Sequence, residues 1–271
     1  MKRRLVLVAA LAAGLAGAAS AQDATPGKGA APDATAAPKE TGPQDTESKD
    51  TASKGTASKD TVQPNAVQTD APPNPTTLLF ETNQIGNAPV GQALNYRYTR
   101  FSGIEGAPFG PPIEDRIREE VSAGEKPDTR NLRVEMFSGE RRMPTATYQD
   151  FPGNPVLVRF LEHHLEDLAK VLKGNPRYIK NGIRRALRES ASVTATEVDV
   201  DGAKKPGWRI VARPFVDDPV RDRLRGFDSL TYTFVLSPAV PGQIVSIDAR
   251  ATNPEGGILL QETLTYEPNA G

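Results

Sequence analysis

The stretch GNPVLVRFLEHHLEDLAKVLKGNPRYIKNGIRRALRES, residues 153–190, decides the fold. It contains the tripeptide Gly-Asn-Pro twice, at 153–155 and 174–176. Each copy is a helix start: asparagine accepts a hydrogen bond from the first turn, and proline at the first helical position lacks an N–H that would have had no partner there. After the first copy, Leu157, Phe160, Leu161, Leu165, Leu168 and Leu172 recur at helical spacing. Lys170 and Lys173 fall in the last turn, where they suit the helix dipole, and Gly174 is the expected stop. After the second copy the apolar face is Ile179, Ile183, Ala186 and Leu187. Asn154–Ser190 therefore reads as a tight helical hairpin with one apolar side, and that side must be covered.

The flanking sequence supplies strands to cover it. Leu94, Tyr96 and Tyr98 alternate with polar residues, as do Leu132, Val134 and Met136. Ile113, Ile117 and Val121 recur every four residues, which fits a helix face or a strand with charged inserts; the flanking Pro111-Pro112 and Ser122-Ala123-Gly124 favour a strand ending in a turn. Beyond the helices, Val193–Val200 and Trp208–Phe215 flank Asp201-Gly202 and Pro206-Gly207, and Leu230–Leu236, Ile244–Ala249 and Leu260–Tyr266 follow with short turns between them. Short connections and consecutive strands imply antiparallel pairing, with the helices inserted as one block. The expectation is an α+β domain: a curved antiparallel sheet of seven or eight strands with an αα-hairpin packed on one face.

Four runs carry a resemblance: Leu79-Phe-Glu-Thr82, Leu94-Asn-Tyr-Arg-Tyr98, Gly153-Asn-Pro-Val-Leu157 with Phe160-Leu-Glu-His163, and Tyr232-Thr-Phe-Val-Leu-Ser-Pro-Ala-Val240. Together they resemble an exported bacterial protein family of unassigned function, over most of residues 78–268. That resemblance implies one exported domain and brings no catalytic residue or ligand with it. At the level of fold alone, a curved antiparallel sheet around helices is similar to the lipoprotein-carrier and lipid-binding folds of the bacterial envelope.

The N-terminal part is built on different rules. Lys2, Arg3 and Arg4 precede the apolar run Leu5–Leu15, and Ala19-Ser20-Ala21 is a small-x-small cleavage site, so residues 1–21 read as a secretory signal cut after Ala21. The run is too short to remain as a membrane span, and none is expected after cleavage. Residues 22–75 contain no aromatic side chain and repeat the five-residue units Thr46-Glu-Ser-Lys-Asp50, Thr51-Ala-Ser-Lys-Gly55 and Thr56-Ala-Ser-Lys-Asp60. Such a segment cannot bury enough apolar surface to offset the entropy of ordering and reads as a disordered low-complexity linker. Residues 76–271 are then a single domain, placed in the periplasm or beyond it.

Composition removes several classes of function. With 33 basic and 34 acidic residues the formal charge is −1, which argues against nucleic acid as a partner. Loss of Lys2, Arg3 and Arg4 with the signal takes it to −4. There is no cysteine, hence no disulfide, thiolate ligand, cysteine nucleophile or lipid-modified N-terminus. The two histidines, His163 and His164, are adjacent. They point about 100° apart on a helix and cannot grip one ion together, although His163 with Glu166 or Asp167 shares a face. The plainer assignment puts His164 beside Leu157, Leu161 and Leu168 near the core, with His163 and the acids on the wet face. No Gly-x-Ser-x-Gly or Ser-x-x-Lys occurs, and no glycine-rich phosphate loop. No catalytic residue, metal or cofactor is assigned.

Two surfaces stand above background. Arg177, Lys180, Arg184 and Arg188, spaced by three, four and four, form one stripe about a quarter-turn from Ile179, Ile183 and Leu187. Such a stripe can meet anionic lipid headgroups, a phosphorylated glycan or an acidic partner, or be a solvated face paired with acids of the same domain. The second surface is the ring set Tyr96, Tyr98, Phe160, Tyr178, Tyr232, Phe234 and Tyr266, which would meet between sheet and hairpin. Those rings either line an apolar pocket for a lipid-like ligand or fill the core. The sequence thus points to an exported binding or interaction module with an anionic envelope component or lipid-like ligand as partner. The rivals are an envelope hydrolase using a histidine–carboxylate pair and a purely structural module. Nothing in the sequence sets an oligomeric state.

Overall fold

Two β-meanders, one from each half of the chain, close on each other at the centre of a single sheet. The computed structural model describes residues 71–106 and 108–268. The expected signal at 1–21 and nearly all of the expected linker at 22–75 lie outside the described residues. A five-residue π-helical turn, Thr77–Glu81, and a 3-10 turn, Ile85–Asn87, lead into β1 (Ala93–Phe101), β2 (Ile113–Ala123), β3 (Arg130–Met136) and β4 (Ala146–Tyr148). The helices α1 (Pro155–Leu172) and α2 (Pro176–Glu189) follow. The chain then returns as β5 (Ser192–Val200), β6 (Ala203–Ala212), β7 (Thr231–Leu236), β8 (Ile244–Thr252) and β9 (Ile258–Tyr266).

These strands form one open, curved, nine-stranded sheet in the order β4-β3-β2-β1-β9-β8-β7-β6-β5. Every neighbouring pair is antiparallel. The protein is an α+β domain, as the hydrophobic spacing predicts. The hairpin of helices carries the chain from one sheet edge, β4, to the other, β5. The longest-range closure is the central β1–β9 pair, which sets Tyr96 opposite Tyr266, Tyr98 opposite Leu264 and Arg100 opposite Glu262.

The count of nine exceeds the seven or eight expected because β4 has only three residues, too few to show a period. The expected strand at Trp208–Phe215 is shifted. β6 begins at Ala203, runs through Pro206-Gly207 and ends at Ala212, so Phe215 lies in the loop that follows.

Both Gly-Asn-Pro starts behave as their chemistry requires. Asn154 accepts from the Val156 N–H at 3.0 Å and Asn175 from the Arg177 N–H at 2.9 Å. The left-handed residue that ends α1 is Lys173, with φ of 49°, one place ahead of Gly174. The Gly174 N–H closes the turn on the Ala169 carbonyl at 3.3 Å. Asn154 also donates to the Gly242 carbonyl and to the Tyr96 hydroxyl, each at 2.9 Å, which ties the start of α1 to β1 and to the β7–β8 turn. Gly242 sits at φ +73°, and a Cβ there would lie 2.7 Å from Asn154 Nδ2, so both backbone freedom and close approach require glycine. The inner face of α2 is Ile179, Ile183, Ala186 and Leu187, all buried, joined by Gly182. α1 lies against β3 and α2 against β6, so the hairpin covers one face of the sheet. No helix among the described residues is long and apolar enough to cross a membrane.

Candidate functional site

At 100° per residue, the buried face of α2 leaves two flanks. One carries Arg177, Lys180, Arg184 and Arg188, and the other Tyr178, Gly182, Arg185 and Glu189. On the first flank, Arg177, Lys180 and Arg184 have no carboxylate within 4.0 Å among the described residues, and Arg188 reaches only its neighbour Glu189 at 3.5 Å. The nearby acid Glu162 is held at 3.6 Å by Arg159 on its own helix. Burial and the adjacent Arg184 lower the pKa of Lys180, with Glu162 opposing. The stripe is therefore a run of like charges with little local compensation among the described residues.

Lys180 and Arg184 also stand at the rim of a cleft whose walls are Phe80, Leu161, Leu165, Ile183 and Leu187. It lies where the π-helical turn crosses the two helices. With Phe80 in place its free interior is about 30 Å³, room for a water or two. Nothing in the spacing of α2 indicates that Phe80 lines this groove. The turn that carries it comes from the far side of the sheet in sequence, and only its approach makes the stripe the edge of an apolar site.

The aromatic residues divide. Tyr98, Phe160, Tyr232 and Phe234 run through the space between sheet and hairpin in a chain of ring contacts completed by His164, with centroids 5.4–6.4 Å apart. Tyr96 and Tyr266 form a separate edge-on pair at 5.6 Å. Tyr178 does not join them. It is 43 % exposed, on the second flank of α2, and donates to the Asp218 carboxylate at 2.7 Å.

Charged groups lie among the inward rings. Glu262 and His164 are both fully buried, with Glu262 Oε1 3.1 Å from His164 Nδ1. The Tyr98 hydroxyl donates to Glu262 Oε2 at 3.0 Å. Burial by itself would raise the Glu262 carboxyl, but His164, His163 and Tyr98 outweigh it and hold the group below its usual range. One helical turn on, Asp167 of α1 is paired with Arg100 of β1, which also donates to the Phe109 carbonyl. Lys170 reaches Asp167 at 3.1 Å and His163 lies 3.8 Å from it. Asp167 thus leaves the wet face where the sequence places it, because the buried guanidinium of Arg100 needs an anion. Burial lowers the His163 pKa, against the pull of Asp167 and Glu262.

Glu119, on β2, is wholly buried and neither of its carboxylate oxygens has a hydrogen-bond partner. Burial is the main cause of a pKa pushed up to about 8; the Val156 N–H, which donates to Asn154, lies close enough only to temper it. Spacing did contain a signal for these groups. Glu119 shares strand parity with Ile117 and Val121, Arg100 with Tyr96 and Tyr98, and Glu262 with Leu260 and Leu264. Among the described residues no three His, Asp or Glu side chains are grouped so as to hold a metal ion.

No family model matches this chain, and no curated protein matches it. Among solved structures it is similar to the crystal structure of the Mycobacterium tuberculosis lipoprotein LppX, at 6 % identity and a TM-score of 0.27, over 65 % of this chain and 84 % of that one. A likeness of that size carries no functional argument.

Proposed function

We propose that the protein is an exported, non-enzymatic binding module of the cell envelope whose ligand is an anionic amphiphile, held at the flank of α2 that carries Arg177, Lys180, Arg184 and Arg188. The observation that supports this is the junction of two features at one place. Cations without acidic partners among the described residues stand at the mouth of an apolar cleft. An anionic headgroup gains charge-assisted hydrogen bonds at Lys180 and Arg184, while its hydrocarbon replaces water against Leu161, Leu165, Ile183 and Leu187. An acyl chain enters only if the lining side chains, Phe80 among them, give way, since the free interior is otherwise about 30 Å³. The leader at 1–21 and the linker at 22–75 fit the same reading: export, followed by a tether that lets the domain reach a membrane surface or a carried lipid.

The histidine–carboxylate rival gains little from the geometry: His164 and Glu262 are both fully buried, and the Asp167 that lies 3.8 Å from His163 is already paired with Arg100. Native and denaturing mass spectra of the gently purified exported protein, incubated with lysophosphatidylglycerol, test the proposal. It predicts an adduct of lipid mass that denaturation removes, that is lost in Lys180→Glu/Arg184→Glu, and that is weakened in Leu165→Trp, which fills the cleft. A bare protein at excess lipid, or an adduct indifferent to these substitutions, overturns it.

A further inference from the structure

The other flank of α2 borders a second and larger cleft, independent of the first. It has a volume of about 650 Å³ and lies between the end of α2, the start of β5 and the loop that follows β6. Its wall is preformed. Phe215 is fully buried against Gly182, where a Cβ would come within 2.6 Å of its ring, and Asp218 accepts from the Tyr178 hydroxyl and, at 2.9 Å, from the Val220 N–H. The loop is therefore pinned to one flank of α2 at two positions, Tyr178 and Gly182, and the cleft opens further along that flank, beside Arg185.

Arg185 from α2 and Arg213 from the end of β6 both line this cleft, and neither has a carboxylate within 4.0 Å among the described residues. Around them the lining is mixed. Ser190 and Ser192 present hydroxyls, Glu189 and Asp217 present carboxylates, and Val216 and Pro219 give apolar surface, with Val216 45 % exposed. We propose that this cleft binds a short acidic saccharide. The guanidinium groups suit the planar carboxylate of a uronate residue. The acids and serines match the hydroxyl groups that a sugar ring carries, and proline and valine match its C–H face. An acyl chain would leave the Asp217 carboxylate and the Arg185 and Arg213 guanidinium groups without partners, and a lone inorganic anion would use the arginines and nothing else.

Titration of the full chain with trigalacturonate, followed by calorimetry or amide chemical shifts, tests this, with maltotriose and inorganic phosphate as comparison ligands. Trigalacturonate is expected to bind, maltotriose about tenfold or more weakly, and Arg185→Glu/Arg213→Glu to cost the acidic sugar about tenfold or more in affinity. Both arginines are exposed, so the variant should melt at the wild-type temperature. The stripe variant Lys180→Glu/Arg184→Glu should bind trigalacturonate as wild type does. Absence of trigalacturonate binding overturns the proposal, as does an equal loss in the stripe variant. Phosphate competing as well as the acidic sugar would show a general anion site instead and overturn the saccharide assignment.

Discussion

The two helices of the hairpin begin with the same tripeptide and carry similar numbers of charged residues, yet they place them differently. α1 turns charge inward: His164 meets Glu262 and Asp167 meets Arg100, and these contacts fasten the helix to β1 and β9 at the seam where the two meanders join. α2 turns charge outward, with Arg177, Lys180 and Arg184 finding no carboxylate within 4.0 Å among the described residues. Charge buried with a partner has already used its interactions on the fold. Charge left in water beside an apolar or polar cleft still has them to offer a ligand. If that division is right, substitutions on α1 and at the sheet seam act on stability, and substitutions on the flanks of α2 act on binding.

The largest loss is expected from Asp167→Ala. It leaves the largely buried Arg100 guanidinium without its anion and should cost about 3–5 kcal/mol in urea unfolding. A loss below about 1 kcal/mol would mean that water reaches Arg100 and that α1 is no more fastened than α2. Next in size is Glu119. Its carboxyl titrates near 8 in the folded chain against an ordinary 4.5, so the folded state holds a proton that the unfolded state has released. Stability is therefore undiminished below the ordinary value and falls as pH rises from there towards 8, by on the order of 3 kcal/mol at pH 7. Glu119→Gln should remove that dependence, making the variant the more stable protein at pH 8 and close to wild type at pH 5. Melting curves of the two proteins at both pH values decide it, and parallel curves would place water or a partner at the carboxylate.

Gly182→Ala sharpens the α2 side. Alanine is the better helix former by about 1 kcal/mol, but its Cβ would collide with Phe215 at 2.6 Å. The net expectation is a loss of about 1–3 kcal/mol and a displaced cleft wall. A stabilised variant would show that the 213–220 loop is not pinned. Smallest of all should be the effect on stability of reversing Arg177, Arg184 and Arg188, within about 0.5 kcal/mol by thermal melting, since no buried partner loses its charge.

The fold is more legible in the sequence than the site. The two Gly-Asn-Pro starts, the apolar faces of both helices and the alternation in the longer strands are local signals, and they were enough for an antiparallel sheet with an inserted hairpin. The three-residue β4 was too short to have a period. The β1–β9 pairing joins residues about 165 positions apart, which no local pattern encodes. Glu119, Arg100 and Glu262 were legible by parity, since each alternates with residues facing the core, but a charge at an inward position contradicts ordinary burial preference until its surroundings are seen. Of the candidate site, the basic stripe was legible because it lies on one helix. The apolar cleft that Phe80 lines and the arginine cleft beside the 213–220 loop depend on segments that meet α2 only in the folded chain.

Co-sedimentation of the full protein with vesicles tests the central division most directly, comparing wild type with Arg177→Glu/Arg184→Glu/Arg188→Glu. The account predicts that wild type pellets with phosphatidylglycerol vesicles and stays in solution with phosphatidylcholine vesicles. The variant should remain in solution with both while melting at the wild-type temperature. Equal pelleting of variant and wild type on the anionic vesicles would contradict it and return the outward charges of α2 to the role of a solvated helix face.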